Sequence, residues 1–311
     1  LNPAQPVVEA VAVKDDRIYG RGSCDMKAGL ASAIFAIQVL KSIGFEPKGN
    51  IMLQSVIGEE SGGCGTLTNI VKGYTGDAAV ILEPTSLKLC PIQSGALTFR
   101  LTIPGKATHA AMRWDGVSAI EKFNMINQSI IELEKQRHSS FSVKYYESPK
   151  RVAPINIGTI KGGEWHSTVP ESVVVEGRFG VFPGESVSDA RMAFSDHLKK
   201  VSNADSWLKE NPLILEWFEG QFESGKTDVE HSIINNLKMA YEKVNNSSAK
   251  IEGVTYGSDL RLFTNHADIP AVLFGPGDVT LAHSANEYVE IEEVLTCIKT
   301  ISNLIINWCE E

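Results

Sequence analysis

The sequence lacks the features that mark membrane, nucleic-acid-binding or disulfide-stabilised proteins. No uninterrupted apolar run in its 311 residues reaches the roughly 18 residues that a membrane-spanning helix needs. The 29 Lys and Arg residues are outnumbered by 38 Asp and Glu residues, and the resulting net charge of −9 disfavours contact with nucleic-acid phosphates. The five cysteines are scattered without CxxC spacing, so neither a cysteine metal site nor a disulfide framework is expected. These absences favour a reduced, cytoplasmic setting and a protein that contacts neither membrane nor nucleic acid.

The overall composition is that of a globular protein. Hydrophobic residues make up 43% of the chain and charged residues 22%. A chain of 311 residues can bury two hydrophobic cores, so one large domain or two medium-sized domains are expected.

Helices and strands alternate in the first ninety residues. The apolar periodicity predicts, in order, a helix at 26–43, a strand at 50–57, a helix at 66–72 and a strand at 78–82. Both strands are almost wholly apolar, as buried parallel strands are, and both run into acidic residues: Glu59 and Glu60 after the first, Glu83 after the second. Ligands collect at the carboxyl ends of strands in open α/β sheets. The pattern therefore predicts an α/β fold with a mainly parallel sheet and carboxylates along one edge.

The pattern changes after Glu83, where strands alternate apolar and polar residues as antiparallel strands with one solvated face do. We predict strands at 93–103, 155–160, 172–180 and 211–218, and helices at 117–135 and 186–201. The α/β pattern returns with helices at 229–244 and 290–308 and strands at 250–254 and 270–274. The sequence thus predicts a discontinuous domain of residues 1–90 and 224–311, interrupted by an α+β domain of residues 91–223.

Asp25 lies in a glycine-rich turn immediately before the first long helix. Gly20 and Gly22 allow the backbone to turn sharply before it. The turn places one carboxylate at the N-terminal end of a helix, where a cation can be held in front of it.

Four side chains at the ends of core elements offer metal-ligand atoms. Asp25, Glu60, Glu83 and His283 supply three carboxylates and one imidazole, the ligands that a catalytic zinc site uses. At a strand end that runs into glycines, both members of the Glu59–Glu60 pair can reach such a site, one as ligand and one beside the water. Two alternatives stay open at this point: the glutamate pair is a solvated loop, and His283 is a surface residue.

Six short motifs occur in a fixed order along the chain. They are residues 20–27 (GRGSCDMK), 58–63 (GEESGG), 83–85 (EPT), 105–109 (GKATH), 257–261 (GSDLR) and 283–287 (HSANE). Together they resemble the M20 metallopeptidase family, in particular its acetylornithine deacetylase and succinyl-diaminopimelate desuccinylase branch. The resemblance covers nearly the whole chain. It implies a metal-binding domain interrupted by a ferredoxin-like lid domain that forms a homodimer.

The resemblance also implies roles for the acidic residues. Asp25 would bridge two divalent metal ions, Glu60 and His283 would complete one metal position, and Glu83 would serve the other. Glu59 would be the general base, and the Asp25–Met26 peptide bond would be cis. Zinc is the expected metal, although cobalt and manganese also suit these ligands.

Three further residues are candidates for contact with the substrate. In the resembled family, a histidine at the position of His109 stabilises the oxyanion in the site of a neighbouring subunit. Arg261 offers a planar fork for a substrate carboxylate, and Asn156 can donate to the same group. A purely structural role stays open for all three residues.

One motif of the family has no counterpart in this sequence. The family takes another metal ligand from a His-x-Asp motif upstream of the glycine turn, and no histidine precedes Tyr19. The second metal position would then have only Asp25 and Glu83. We therefore expect an additional N-terminal segment to precede the sequence.

The reaction implied is hydrolysis of an amide bond in a small N-acyl amino acid, by water that a metal activates and Glu59 deprotonates. Three other functions stay open. A dipeptidase or aminopeptidase of the same family would use the same chemistry. A non-catalytic binding protein would follow from an incomplete metal site. The run from Gly220 to Thr227 (GQFESGKT) matches a P-loop pattern for nucleotide binding, although Glu223 would put a carboxylate in a phosphate cradle.

Overall fold

The computed structural model describes residues 11–141, 144–148 and 151–310. The strands are β1 (Ala12–Lys14), β2 (Arg17–Tyr19), β3 (Ala79–Ile81), β4 (Leu89–Gln93), β5 (Gly95–Pro104), β6 (Ile155–Gly162), β7 (Ser172–Val181), β8 (Ile214–Phe222), β9 (Gly225–Lys226), β10 (Ile251–Val254), β11 (Ala271–Leu273) and β12 (Tyr288–Glu290). The α-helices are α1 (Ala28–Ser42), α2 (Cys64–Val71), α3 (Ala119–Ser140), α4 (Val187–Ala204), α5 (Ser206–Glu210), α6 (Ser232–Asn245), α7 (Leu260–His266) and α8 (Ile291–Glu310). Shorter helical turns span Ser23–Lys27, Ala110–Asp115 and Val279–Leu281.

The larger sheet is mixed, with strand order β10-β4-β11-β3 and β9 beside β4. The pairs β10–β4 and β11–β3 are parallel, whereas β4 is antiparallel to β11 and to β9. Helices α1, α6 and α8 cover one face, where Leu89, Leu237 and Phe274 are fully buried. On the other face, Leu260 of α7 packs against Leu273. The α/β class predicted from the sequence is confirmed, and the parallel pairs form only part of a mixed sheet.

The second sheet is antiparallel, with strand order β6-β7-β5-β8. Helices α3 and α4 cover one face, and Phe99, Phe179 and Phe194 form the centre of that core. The alternation of buried and half-buried residues along β5 follows from this one-sided packing. The chain leaves the larger sheet at Ser94 and re-enters it at Ser224. The exact domain bounds stay a prediction.

Residues 50–57 do not form the buried strand that the sequence predicts. They have no regular secondary structure, and Ile51, Met52, Leu53 and Ile57 are exposed. The apolar residues favour burial of this segment. A strand, however, also needs a neighbouring strand to which its backbone can hydrogen-bond. Strand β3 is the last strand of the sheet on its side, and no strand of the described ranges pairs with residues 50–57.

The segment Ser23–Ser42 is, among the described residues, the one stretch that is long and apolar enough to cross a membrane. Asp25 and Lys27 interrupt this stretch, so it is not a continuous apolar run in the sequence. In the fold the segment supplies α1, whose Ala36 and Leu40 are buried in the core that α8 also lines. Core helices of folded domains share this composition, so the segment is accounted for by its packing.

Candidate metal centre

A small three-stranded sheet brings the two ends of the described chain together. Strand β2 pairs antiparallel with β1 and with β12, so that Tyr19 lies opposite Tyr288 and Arg17 opposite Glu290. The Gly20 N–H continues this pairing by donating to the Glu287 carbonyl at 3.1 Å. The glycine turn that follows β2 therefore lies against the loop that precedes β12.

Asp25 lies in this turn, just before α1. Gly22 has a positive φ of 76°, a conformation that glycine adopts without steric cost, and the Asp25–Met26 peptide bond is cis. The cis bond predicted from the resemblance is thereby confirmed. At Gly29 in the first turn of α1, a Cβ atom would overlap the Leu82 carbonyl oxygen. This close approach sets the start of the helix beside the end of β3, where Glu83 follows.

Three of the predicted ligands converge on one point. The donor atoms of Asp25, Glu60 and His283 all lie within 4.8 Å of one another. His283 Nε2 is 2.8 Å from Glu60 Oε1 and 3.4 Å from Asp25 Oδ2. His283 has a φ of 58°, a backbone conformation that is uncommon outside glycine and often marks functional positions. Glu60 and His283 are nevertheless exposed, with 66% and 62% of their side chains accessible, so their role as metal ligands stays a prediction.

Glu83 adjoins the same cluster from the sheet side. It is 6% exposed, and its carboxyl is close enough to that of Asp25 to lower the pKa of Asp25 as a hydrogen-bond partner. Burial raises the pKa of Glu83 well above its ordinary value, and the charges of Glu59 and Asp25 raise it further. Two hydrogen-bonded carboxyls that share a buried site must either retain a proton or face a cation.

The donor set and its charge fit a divalent cation. Burial and the charge of Glu60 raise the pKa of Asp25, since neighbouring carboxylates repel one another without a cation between them. Burial lowers the pKa of His283, but the hydrogen bond and the charge of Glu60 outweigh it, so that the pKa is raised overall. Oxygen ligands with one imidazole suit zinc, manganese and cobalt.

Glu59 precedes the ligand Glu60 and has a different environment. Burial, the Asp259 carboxylate and the Glu60 carboxylate raise the pKa of Glu59 to about 8, while Arg261 opposes the shift. This pKa is that of the protein without a metal ion, and a bound cation would lower it and favour the carboxylate form that a general base needs.

Helix α7, which the sequence analysis did not identify, supports the loop that carries both glutamates. Arg261 is 5% exposed, and its Nη2 donates to the Gly62 carbonyl at 2.9 Å. Asp259 accepts a hydrogen bond from Thr66 Oγ1 at 2.5 Å, and a Cβ atom at Gly63 would overlap it. These contacts give Arg261 a clear structural role, and a role in substrate binding stays a prediction.

Asn156 lines a separate open cavity of about 340 Å³ on the uncovered face of the second sheet. Arg178 lies opposite it in the β6–β7 pair and lines the same cavity. Its Nη2 donates to the Thr255 carbonyl at 2.5 Å, whereas its Nε has no hydrogen-bond partner among the described residues. Burial lowers the pKa of Arg178. The sequence analysis did not predict this residue, and the available signal was the pair of charges, Glu176 and Arg178, in an otherwise uncharged strand.

His109 is exposed at the start of the turn Ala110–Asp115 in the second domain. Its Nδ1 accepts a hydrogen bond from the Ala111 N–H at 3.1 Å. This local cap is the one hydrogen bond of its side chain within the described part of the chain. The oxyanion role implied by the resemblance stays a prediction.

The run from Gly220 to Thr227 does not form a phosphate-binding loop. Strand β8 continues to Phe222, β9 pairs with β4 from Gly225, and the next α-helix begins only at Ser232. Glu223 Oε2 lies 3.0 Å from His266 Nε2. A P-loop needs a glycine-rich turn that leads directly into a helix, so the nucleotide-binding alternative is wrong.

The pKa shift of Glu59 predicts how stability depends on pH in protein stripped of metal by a chelator. The folded-state pKa of about 8 lies above the ordinary value of 4.5, so between these values the folded protein retains a proton that the unfolded chain has released. Stability should therefore fall as the pH rises from 5 to 8. Glu59→Gln should reduce this fall, and the exposed Glu46→Gln should not. Urea midpoints at both pH values measure the effect, and an unchanged pH dependence in Glu59→Gln would contradict it.

Comparison with known proteins gives consistent matches. The family model described as Peptidase family M20/M25/M40 matches residues 3–307. The chain is 31% identical to N-formyl-4-amino-5-aminomethyl-2-methylpyrimidine deformylase of Bacillus subtilis strain 168, a match covering 95% of this chain and 73% of that protein. It is 27% identical to a probable succinyl-diaminopimelate desuccinylase of Staphylococcus aureus strain MRSA252, covering 96% and 77% respectively. A tripeptidase structure from Staphylococcus aureus shares the fold, with a TM-score of 0.74, 21% identity, and coverage of 97% of this chain and 77% of the tripeptidase.

Proposed function

Because the chain belongs to peptidase family M20/M25/M40, we propose that it hydrolyses the amide bond of a small N-acylated amine. The family membership makes it a metallohydrolase. The proposal of a deacylase follows the two relatives described above, whose names specify removal of a formyl or a succinyl group. The tripeptidase likeness concerns the fold alone and carries no weight for the substrate.

One observation carries the proposal: Asp25, Glu60 and His283 place their donor atoms within 4.8 Å of one another. Glu83 adjoins this cluster through Asp25 and would complete a second position with it. A divalent ion held there, zinc by preference, would polarise the acyl carbonyl and make a bound water more acidic.

Glu59 is the proposed general base and acid. Bound divalent cations would oppose the rise in the pKa of Glu59 and favour its charged form, and this carboxylate would accept a proton from the attacking water and return it to the leaving amine. Arg261 and Asp259 hold the loop that carries it, so the position of Glu59 depends on α7.

The cavity with Asn156 and Arg178 is the proposed site for an anionic group of the substrate. Among the described residues, Arg178 pairs with no carboxylate and its Nε has no hydrogen-bond partner, so its guanidinium can serve as the counterion of an anion. The sheet that carries these residues would act as the lid, with its uncovered face toward the bound substrate. Arg261 remains a second candidate for the same group.

This assignment predicts a charge-dependent effect on the Michaelis constant. Arg178→Lys should raise KM roughly 10–100-fold for acyl substrates with a free carboxylate, since a hydrogen bond to a charged group contributes about 1.5–3 kcal/mol. KM for neutral formyl and acetyl substrates should change little. Arg100→Lys is the matched control, because Arg100 lines the same cavity but already pairs with Glu176 at 2.7 Å. Equal effects on charged and neutral substrates would contradict the assignment.

A homodimer through the lid is part of the proposal. His109 is exposed beside a turn whose Met112 and Trp114 are 53% and 84% exposed, and large apolar side chains in such a position suit a protein interface. In a dimer, His109 would reach the metal centre of the partner. Sedimentation of the protein at several concentrations tests this, and a strictly monomeric, active protein would refute it.

The deacylase proposal is tested with a substrate panel. N-formyl, N-acetyl and N-succinyl amines are compared with dipeptides and tripeptides by kcat/KM in the zinc- and cobalt-loaded protein. We expect the acyl amines to be cleaved with the higher kcat/KM. Preference for free peptides would instead favour the dipeptidase or aminopeptidase alternative, and tight binding without turnover would favour a non-catalytic binding protein.

A further inference from the structure

Glu287 is a fully enclosed carboxylate beside the metal centre. It is 2% exposed and accepts four hydrogen bonds, all from the turn that carries Asp25. Its Oε1 receives the backbone N–H groups of Cys24 and Asp25, each at 3.0 Å. Its Oε2 receives the Gly22 N–H at 2.9 Å and Arg21 Nη1 at 3.0 Å.

These bonds determine the backbone from which Asp25 projects. The backbone of Asp25 is not helical, with φ −115° and ψ 99°, so the N–H groups of the turn cannot all be satisfied by a regular helix. Buried N–H groups need acceptors, and the Glu287 carboxylate supplies them for Gly22, Cys24 and Asp25, while the Ser23 N–H donates to the Gly20 carbonyl. The metal ligand is therefore fixed by a side chain that is 262 positions away in the sequence.

The same loop carries a second ligand. His283 lies four residues before Glu287 and reaches both Asp25 and Glu60. A carboxylate that fixes the Asp25 turn to this loop also fixes the distance between the two ligands. Residues that orient metal ligands in this way commonly influence metal affinity 10–100-fold.

We propose that Glu287 is a positioning residue, which ties the Asp25 turn to the His283 loop so that both ligands meet one metal ion. This inference rests on the proposed metal-dependent function. Both oxygens of Glu287 must act as acceptors. A glutamine could accept with one oxygen only, and its NH₂ group would face two N–H donors of the turn.

Glu287→Gln is the test variant, and Glu290→Gln is its matched control. Glu290 lies three residues further on, at the end of β12, and pairs with Arg17 at 2.8 Å. It accepts no hydrogen bond from the Asp25 turn in the described structure. Both substitutions remove one negative charge from the same strand region, so a general charge effect would appear in both variants.

The measurements are the affinity for Co²⁺ and the visible absorption spectrum of the Co²⁺-loaded protein, which reports ligand geometry without turnover. We expect Glu287→Gln to keep its far-ultraviolet circular dichroism, to bind Co²⁺ 10–100-fold more weakly and to show an altered spectrum. Glu290→Gln should match the wild type. A folded Glu287→Gln protein with wild-type affinity and spectrum would overturn the inference.

Glu287→Asp decides the matter if the glutamine variant fails to fold. It keeps the charge but shortens the side chain, so we expect a folded protein with weaker Co²⁺ binding and an altered spectrum. Wild-type behaviour, or failure of both variants to fold, would overturn the inference, because Glu287 would then serve the fold rather than the site. Wild-type protein that binds Co²⁺ but cleaves no amide would refute the proposed function and leave this result intact.

Discussion

Glu59→Gln is expected to lower kcat by about 10²–10⁴-fold, the usual contribution of a positioned general base. The amide has nearly the same shape as the carboxylate, so the loop and its contacts with Arg261 should persist. Metal content should stay at the wild-type level, because Glu59 is not among the converging donor atoms. The measurements are kcat on the best acyl substrate of the panel and metal per chain by atomic emission.

The adjacent residue supplies the contrast. Glu60→Gln changes the same functional group one position along, but Glu60 Oε1 belongs to the donor cluster, 2.8 Å from His283 Nε2. It should lose metal as well as activity. If Glu59→Gln retained most of the wild-type kcat, or if both variants lost metal equally, the division of roles between the two glutamates would be refuted.

Asp25→Asn should abolish tight metal binding, with a loss larger than the 10–100-fold that is typical of residues that only orient ligands. The variant removes the negative charge of Asp25, whose carboxylate lies 3.4 Å from His283 Nε2 and whose pKa depends on Glu83. The folded state should tolerate the change, since a neutral side chain relieves repulsion among the buried carboxyls. Isothermal titration with zinc measures the loss.

Asp77→Asn is the control for this variant, because Asp77 is exposed in the connection between α2 and β3. Its zinc affinity should equal that of the wild type. Zinc affinity of Asp25→Asn within tenfold of the wild type would show that Asp25 does not bridge or bind the metal, and the proposed centre would need other ligands.

The sequence was sufficient to place the residues that end core elements. Strand β3 and helix α1 follow from apolar periodicity, and the acidic residues at their ends meet because the sheet edge gathers them. The antiparallel second sheet was predictable for the same reason, since one-sided packing imposes alternation along β5 and β7. These are local patterns, repeated over enough residues to be recognised.

What the sequence could not indicate depends on single contacts between distant residues. Residues 50–57 look like a buried strand, but only the fold shows that no described strand lies beside them. Glu287 ends the motif at residues 283–287, but nothing in the motif indicates its partners, because its four hydrogen bonds come from a turn about 262 positions away. Arg261 was predicted to bind a substrate carboxylate through its guanidinium group, yet this group donates a hydrogen bond to the Gly62 carbonyl. Such pairings become visible only in three dimensions.

The pairing of β2 with β12 has a consequence for how the protein acquires its metal during synthesis. Asp25 emerges from the ribosome well before the loop with His283 and Glu287, because Glu287 follows it by 262 positions. Until then the nascent chain exposes a glycine turn without its acceptor and one carboxylate without its imidazole partner. The protein can therefore bind a metal with full affinity only after residue 287 has been translated and the two distant segments have paired.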